Sequence, residues 1–114
     1  MDTLIQELRT FAAERDWQQY HSPKNLSMAL AVEAAELMEH FQWLTEAQSE
    51  ALPEAKLAAV REEIGDVLIY LVRLCDRLGV DPLQAAMDKV RANRRKYPAD
   101  RVRGKADKYS EYGP

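Results

Sequence analysis

The sequence is poor in the residues that most sharply restrict a fold. Cys75 is its single cysteine, so no disulfide framework can form within the chain. A lone thiol in a leucine-rich stretch reads as packing, and the usage suits a reducing compartment, the cytoplasm. Glycine occurs four times and never in a cluster, which excludes a glycine-rich phosphate loop and a nucleophile elbow. The two histidines, His21 and His40, are too far apart for a helical zinc motif. The longest apolar run, Val67 to Val72, is far too short to span a bilayer. The first residues, Met1-Asp-Thr-Leu-Ile-Gln-Glu, carry no basic and apolar leader pattern, so no secretion signal is expected.

What remains is an ordinary balance for a water-soluble globular domain, 46% hydrophobic and 31% charged over 114 residues. That length predicts one domain over 1–114, near the size at which association with further copies helps burial. The net charge of −3 hides an asymmetry: residues 1–87 hold 15 acids and 7 bases, residues 88–114 hold 4 acids and 9 bases. An acidic body with a basic C-terminal segment could bring a cation and a phosphate chain together. A solvated basic helix and tail explains the same charges equally well.

No stretch alternates as a strand does, and the periodicity is helical throughout. Leu4, Ile5, Leu8, Phe11 and Ala12 predict an amphipathic helix over 3–15, capped by Asp2 or Thr3. Pro23 keeps Ser22 extended and places a connection there. Trp17, Tyr20 and His21 in that connection could lid the core or line a pocket, with a core lid favoured for Tyr20. A second helix is expected from about Asn25 or Ser27 to Trp43 or Leu44, its apolar set broad enough for a central position. Residues 45–53 read as a polar linker with a short helical turn. Pro53 and Glu54 start a third helix that runs to about Leu78 and stops at Gly79. Gly65 inside it marks either a closely approached backbone or a tolerated glycine. Asp81-Pro82 caps a fourth helix that ends near Tyr97, and residues 99–114 read as an irregular tail. The fold class is all-α, a four-helix-bundle-like arrangement.

Two of these helices carry paired acids among apolar neighbours, Glu33 with Glu36 and Glu63 with Asp66. At a spacing of three, both acids of a pair project from one side of a helix, where like charges repel and apolar neighbours raise the cost. If the pairs face each other, four carboxylates surround one point and a divalent cation relieves the repulsion. Oxygen-only ligands select a hard cation, Mg²⁺ first and Mn²⁺ next, and Mg²⁺ commonly bridges to phosphates. The alternative is that all four acids are solvated; Glu62 could also stand in for Glu63. His40, one turn after Glu36, reads as a surface residue or as a support to the acids. Trp17, Trp43, Tyr70 and Tyr97 could stack on a base or fill the core.

The order Glu33-x-x-Glu36, spacer, Glu63-x-x-Asp66 resembles the signature of the MazG-type all-α nucleoside triphosphate pyrophosphohydrolases. Phe11-Ala-Ala-Glu-Arg-Asp-Trp17, His40-Phe-Gln-Trp43, Glu62-Glu-Ile-Gly-Asp66-Val-Leu-Ile-Tyr70-Leu and Asn93-Arg-Arg-Lys-Tyr97-Pro are similar to the single-domain, dCTP pyrophosphatase-like branch. The likeness runs from about Leu4 to Tyr109. It implies Mg²⁺-dependent hydrolysis of a (deoxy)nucleoside triphosphate to monophosphate and pyrophosphate. It also implies that Glu33, Glu36, Glu63 and Asp66 hold the metal, one of them activating water. By the same resemblance Trp17, Trp43 and Tyr70 enclose base and sugar, Asn93 contacts them, and Lys89, Arg94, Arg95 or Lys96 meets phosphate, beside Tyr97. Leu8 departs from the pattern, standing where a mammalian relative has a pocket histidine, and the 45–53 linker is shorter. Family members assemble as dimers or dimers of dimers, so self-association is expected, with no membrane partner. Two rivals differ in class: a catalytically silent helical interaction module, and a nucleic-acid binder using 89–108, which the acidic pI of about 5.4 disfavours.

Overall fold

A computed structural model of the chain describes residues 1–104; the remainder of the expected irregular tail, 105–114, lies outside the described residues. The described residues are helical, without strands, in two compact units that meet at Val80 and Asp81.

The first unit holds α1 (Asp2–Glu14), a 3-10 turn (Gln18–Tyr20), α2 (Pro23–Glu39), α3 (Glu46–Ser49) and α4 (Glu54–Leu78). α4 is its axis: it packs along α2 and, less extensively, against α1. Ala12 of α1, Leu26 of α2 and Val60, Val72 and Cys75 of α4 are buried between them. Cys75 is therefore a packing residue in this unit.

Several helix ends differ from expectation, each for a local reason. α2 begins at Pro23, because the Ser22 side chain accepts from the Asn25 amide at 3.2 Å and proline fits the first helical position. The pre-proline restriction thus falls on the cap itself and leaves the helix to start two to four residues earlier than expected. α2 ends at Glu39, and residues 40–44 continue as turns. α3 carries a reciprocal capping box, with Thr45 Oγ1 accepting from the Gln48 amide and Gln48 Oε1 from the Thr45 amide. α1 starts at Asp2 with no side-chain cap.

α4 ends as predicted. Gly79 adopts φ 69°, and the Val80 amide reaches back to the Cys75 carbonyl at 2.9 Å, which closes the helix. Gly65 has open space around a notional Cβ, so of the two readings for this glycine the tolerated one stands within this chain.

The second unit begins with α5 (Pro82–Lys96) and α6 (Ala99–Val102). Asp81 Oδ1 accepts from the amides of Leu83 and Gln84 at 3.0 and 3.1 Å, with Pro82 at the first position, as the sequence predicts. The short helix α6 replaces irregular chain over part of the expected tail.

The chain leaves much apolar surface uncovered. Leu57, Ile64, Leu68 and Leu71 recur along α4 at intervals of seven, four and three residues, and all are exposed. Met28, Val32 and Met38 of α2 are exposed as well. No described helix is long and apolar enough to cross a membrane.

Candidate active site

The two acid pairs meet where α2 runs beside α4. Carboxylate oxygens of Glu33, Glu36 and Glu63 lie within 4.8 Å of one another. Glu33 Oε2 and Glu63 Oε2 are shielded from solvent and have no hydrogen-bond partner. A buried carboxylate oxygen with no donor is costly, and a like-charged neighbour raises the cost. The consequence is visible at Glu33, whose carboxyl is pushed up from 4.5 to about 7. Burial is the largest cause, followed by a hydrogen bond with Glu36 and the charges of Glu36, Asp66 and Glu63. Asp66 thus acts on Glu33 electrostatically, while its oxygens stand outside the tight group of three. Solvated acids would show neither the convergence nor the shift.

The neighbours of this cluster also settle two open readings. His40 Nε2 stands 3.8 Å from Glu63 Oε1 and is half-buried, so it lies against the acid cluster instead of on open surface. Glu62 is exposed and faces another groove with Glu54, Leu57 and Arg61, so Glu63 is the converging acid.

Glu33 and Asp66 also line a cavity of about 250 Å³ that extends away from the other acids. Tyr70 and Ile69 continue its wall along α4, and Leu8, Phe11 and Ala12 of α1 face them. Trp17, His21 and Arg73 complete the lining. The turn after α1 brings Trp17 here. Asp16 takes a left-handed φ of 52°, and the Trp17 amide bonds back to the Ala12 carbonyl at 2.9 Å. Gln19 steadies that turn by donating to the Asp16 carbonyl and carboxylate at 3.0 and 3.1 Å. Trp17 then meets Phe11 edge-on, ring centroids 5.6 Å apart at 69°, and His21 at 6.5 Å. The Arg15 guanidinium lies 3.7 Å over the outer face of this aromatic group, on Phe11.

Of the sequence-predicted residues, the structure gathers Glu33, Glu36 and Glu63 at one point, and Glu33, Asp66, Trp17 and Tyr70 around one cavity. Trp43 is not among them: it follows α2 in a turn and is 87% exposed. Tyr20 is exposed and lids no core, because the 3-10 turn holds it outward while its carbonyl accepts from Asn25 Nδ2. Lys89, Asn93, Arg94, Arg95, Lys96 and Tyr97 belong to the second unit, on α5 and at its C-terminal cap.

Arg73 went unsuspected in the sequence. It is 4% exposed, and its Nε has no partner; one Nη reaches Asp76 at 3.4 Å. Asp76 is in turn held bidentately by Arg9 of α1, with Nε 2.8 Å from Oδ2, and that hydrogen bond is the main reason its carboxyl sits below the usual range. The available signal was position: Arg73 lies two turns past Asp66 on the same side of α4, a lone charge in an apolar run.

An all-helical unit that brings three carboxylates from two helices together beside an aromatic cavity defines a class of acid-centred helical proteins. Comparison places the chain within it: the MazG-like family matches residues 28–112, and the chain belongs to that family. It is 50% identical over 103 residues to the mouse dCTP pyrophosphatase 1 and 48% identical to the human one, covering 89% of this chain and 61% of each relative. The chain thus spans about three-fifths of the length of these curated relatives. A crystal structure of a pyrophosphatase from Archaeoglobus fulgidus DSM 4304 superposes with a TM-score of 0.82 at 43% identity, covering 86% of this chain and 92% of that one.

Proposed function

We propose that this protein is a cytoplasmic, metal-dependent nucleoside triphosphate pyrophosphohydrolase of one domain over 1–114, acting on dCTP or a modified pyrimidine deoxynucleotide in nucleotide-pool cleansing. The observation that carries the reading is the meeting of Glu33, Glu36 and Glu63 within 4.8 Å at a cavity walled by Trp17 and Tyr70. The names of the mouse and human relatives support the substrate, and that of the archaeal neighbour supports the reaction class.

The acids fit a hard divalent cation. Two of their buried oxygens lack any donor, and the three carboxylates are gathered closely enough that one hard cation could be shared among them. Glu33, Glu36 and Glu63 would hold Mg²⁺, or Mn²⁺, with Asp66 as fourth acid. Mg²⁺ bound there supplies neutralisation of phosphate oxygens and of charge gathering on the leaving pyrophosphate. The protein's own part is positional. The aromatic walls grip base and sugar while excluding water, and one of the four carboxylates orients the attacking water and takes its proton. By resemblance alone, Lys89, Asn93, Arg94, Lys96 and Tyr97 are carried as candidates for substrate contact, as is Trp43, which stands 87% exposed after α2. The exposed stripe Leu57, Ile64, Leu68 and Leu71 supports assembly with further copies of the chain, since a patch of that kind on an isolated surface marks an interface.

The test is pyrophosphate release from a panel of canonical and modified nucleoside triphosphates, with Mg²⁺ and with EDTA. Metal-dependent release of pyrophosphate and monophosphate is expected. Silence across the panel from a folded protein overturns the reading in favour of a helical interaction module. Glu36→Ala and Asp66→Ala should each abolish turnover with the helical circular dichroism intact, and retained activity in both removes the site.

A further inference from the structure

The cavity beside the acids has two ends. One holds Glu33 and Asp66; the other holds Arg73 and His21, about 10 Å further along α4 for the seven residues between Asp66 and Arg73. At the far end two buried polar atoms have no partner, Arg73 Nε and His21 Nδ1. Buried polar atoms in folded proteins are nearly always satisfied, so a pair of orphans on one cavity indicates polar groups that arrive with a ligand. They share that end with Phe11 and Trp17, so the arriving group is flat as well as polar.

The donor pattern restricts that group. A guanidinium donates only, from Nε and its outer nitrogens in a fixed fork, and so calls for adjacent acceptors. The imidazole can accept: burial first, then the charges of Arg73 and Arg77, hold the His21 pKa below its usual value, which favours the neutral ring at neutral pH. The cytosine Watson–Crick edge offers acceptors at O2 and N3 beside a donor at N4. Uracil and thymine place a donor at N3 and an acceptor at O4, so they set donor against Arg73 and acceptor against His21.

We infer that Arg73 and His21 are the base-reading residues of this site, Arg73 donating to cytosine O2 and N3 and His21 accepting from N4. This rests on the reading of the cleft as a nucleotide site. Arg73 is placed for the task by the chain Arg9–Asp76–Arg73, which ties α1 to α4 and draws the guanidinium toward one side through an outer nitrogen. Arg9 and Asp76 are accordingly positioning residues.

The test uses the full chain and changes the ligand before the protein. The values of kcat/KM for dCTP, dUTP and 3-deaza-dCTP, which has C–H at position 3, are measured with Mg²⁺. In parallel, binding of deoxycytidine, deoxyuridine and 3-deazadeoxycytidine in EDTA is followed by the indole N–H resonances of the tryptophans. Each mispaired or missing group leaves a buried donor unmet, and at least about a tenfold preference for the cytosine member is expected in both assays. Arg73→Gln and Arg73→Lys, checked for native helicity and cooperative melting, should erase the dCTP over 3-deaza-dCTP preference. Equal use of dCTP and 3-deaza-dCTP by the unaltered chain overturns the inference, as does a folded Arg73→Gln that keeps the full preference. Hydrolysis without base preference removes only this inference, whereas cytosine-selective nucleoside binding with no hydrolysis removes only the proposed reaction. Failure to bind any nucleoside, together with failure to hydrolyse, removes both.

Discussion

Glu33 should make cation binding strongly dependent on pH. Its carboxyl titrates at about 7 in the metal-free chain because it is buried and faces Glu36, Asp66 and Glu63. A cation that uses this oxygen must displace the proton wherever Glu33 is protonated. For one proton and a pKa of about 7, the apparent dissociation constant is scaled by the protonated-to-ionised ratio plus one, which is roughly 1.3 at pH 7.5 and roughly 33 at pH 5.5. The expected weakening across that range is therefore about 25-fold. An acid at its ordinary value of 4.5 would weaken binding by only about 1.1-fold over the same interval. The assay is Mn²⁺ binding to EDTA-stripped protein, followed by the electron paramagnetic resonance signal of the free ion. Glu33→Gln should bind more weakly at pH 7.5 and lose the steep dependence. A parallel series in His40→Asn isolates any part played by the imidazole 3.8 Å from Glu63. A dissociation constant that stays flat from pH 7.5 to 5.5, or a slope that persists in Glu33→Gln, refutes the assignment. Metal-free stability carries the opposite sign. The folded chain holds this proton more tightly than the unfolded one, so the group's contribution is full below pH 4.5 and falls away as pH rises through about 7. Thermal melts in EDTA should show that fall, and Mg²⁺ should reverse it.

Other perturbations probe the frame around the site. Leu26→Ala, at a side chain 1% exposed between α2 and its neighbours, should cost about 2–5 kcal/mol, read as a lower urea midpoint with little change in m-value. Gly65→Ala should add up to about 1 kcal/mol of stability, since nothing occupies the space its methyl would take; a loss would place something else, such as another copy, against that face. Asp81→Ala removes the acceptor for the Leu83 and Gln84 amides and should cost about 0.5–2 kcal/mol, visible as earlier hydrogen exchange at the start of α5.

Much of this site was legible in the sequence because helical periodicity encodes direction. A spacing of three fixes that Glu33 and Glu36 share a side of α2, and Glu63 and Asp66 a side of α4, before any coordinates exist. The caps at Asp81 and Gly79 were legible for the same reason: their signals are local. Packing between segments is not local. Nothing in the spacing tells that Glu63 joins the tight group while Asp66 stands apart along the cavity, since that depends on how α2 and α4 are set against each other. Arg73 escaped notice because its role comes from Arg9 and Asp76, the former 64 residues away in sequence. Ser22 is extended as the sequence indicates, but the start of α2 at Pro23 was missed because a capping serine before proline and an extended connection share the same backbone angles. Trp43 reads as a pocket residue by resemblance, yet a single chain leaves it in water, where only a further surface could enclose it.

α4 carries the acid Glu63, the cavity wall Asp66 and Tyr70, the far-end guanidinium Arg73 and the anchor Asp76 on one uninterrupted helix of 25 residues. Such a helix is a ruler. The separation between the acid end and the far end is set by rise per residue, about 1.5 Å, and no hinge lies between them to adjust it. A ligand must therefore match a fixed length, with its charged end and its flat end held apart by the same rigid gauge. Changes of preference in this architecture are confined to swapping side chains at set graduations. A one-residue insertion between Asp66 and Arg73 would turn the later marks by about 100° and take them off the cavity altogether.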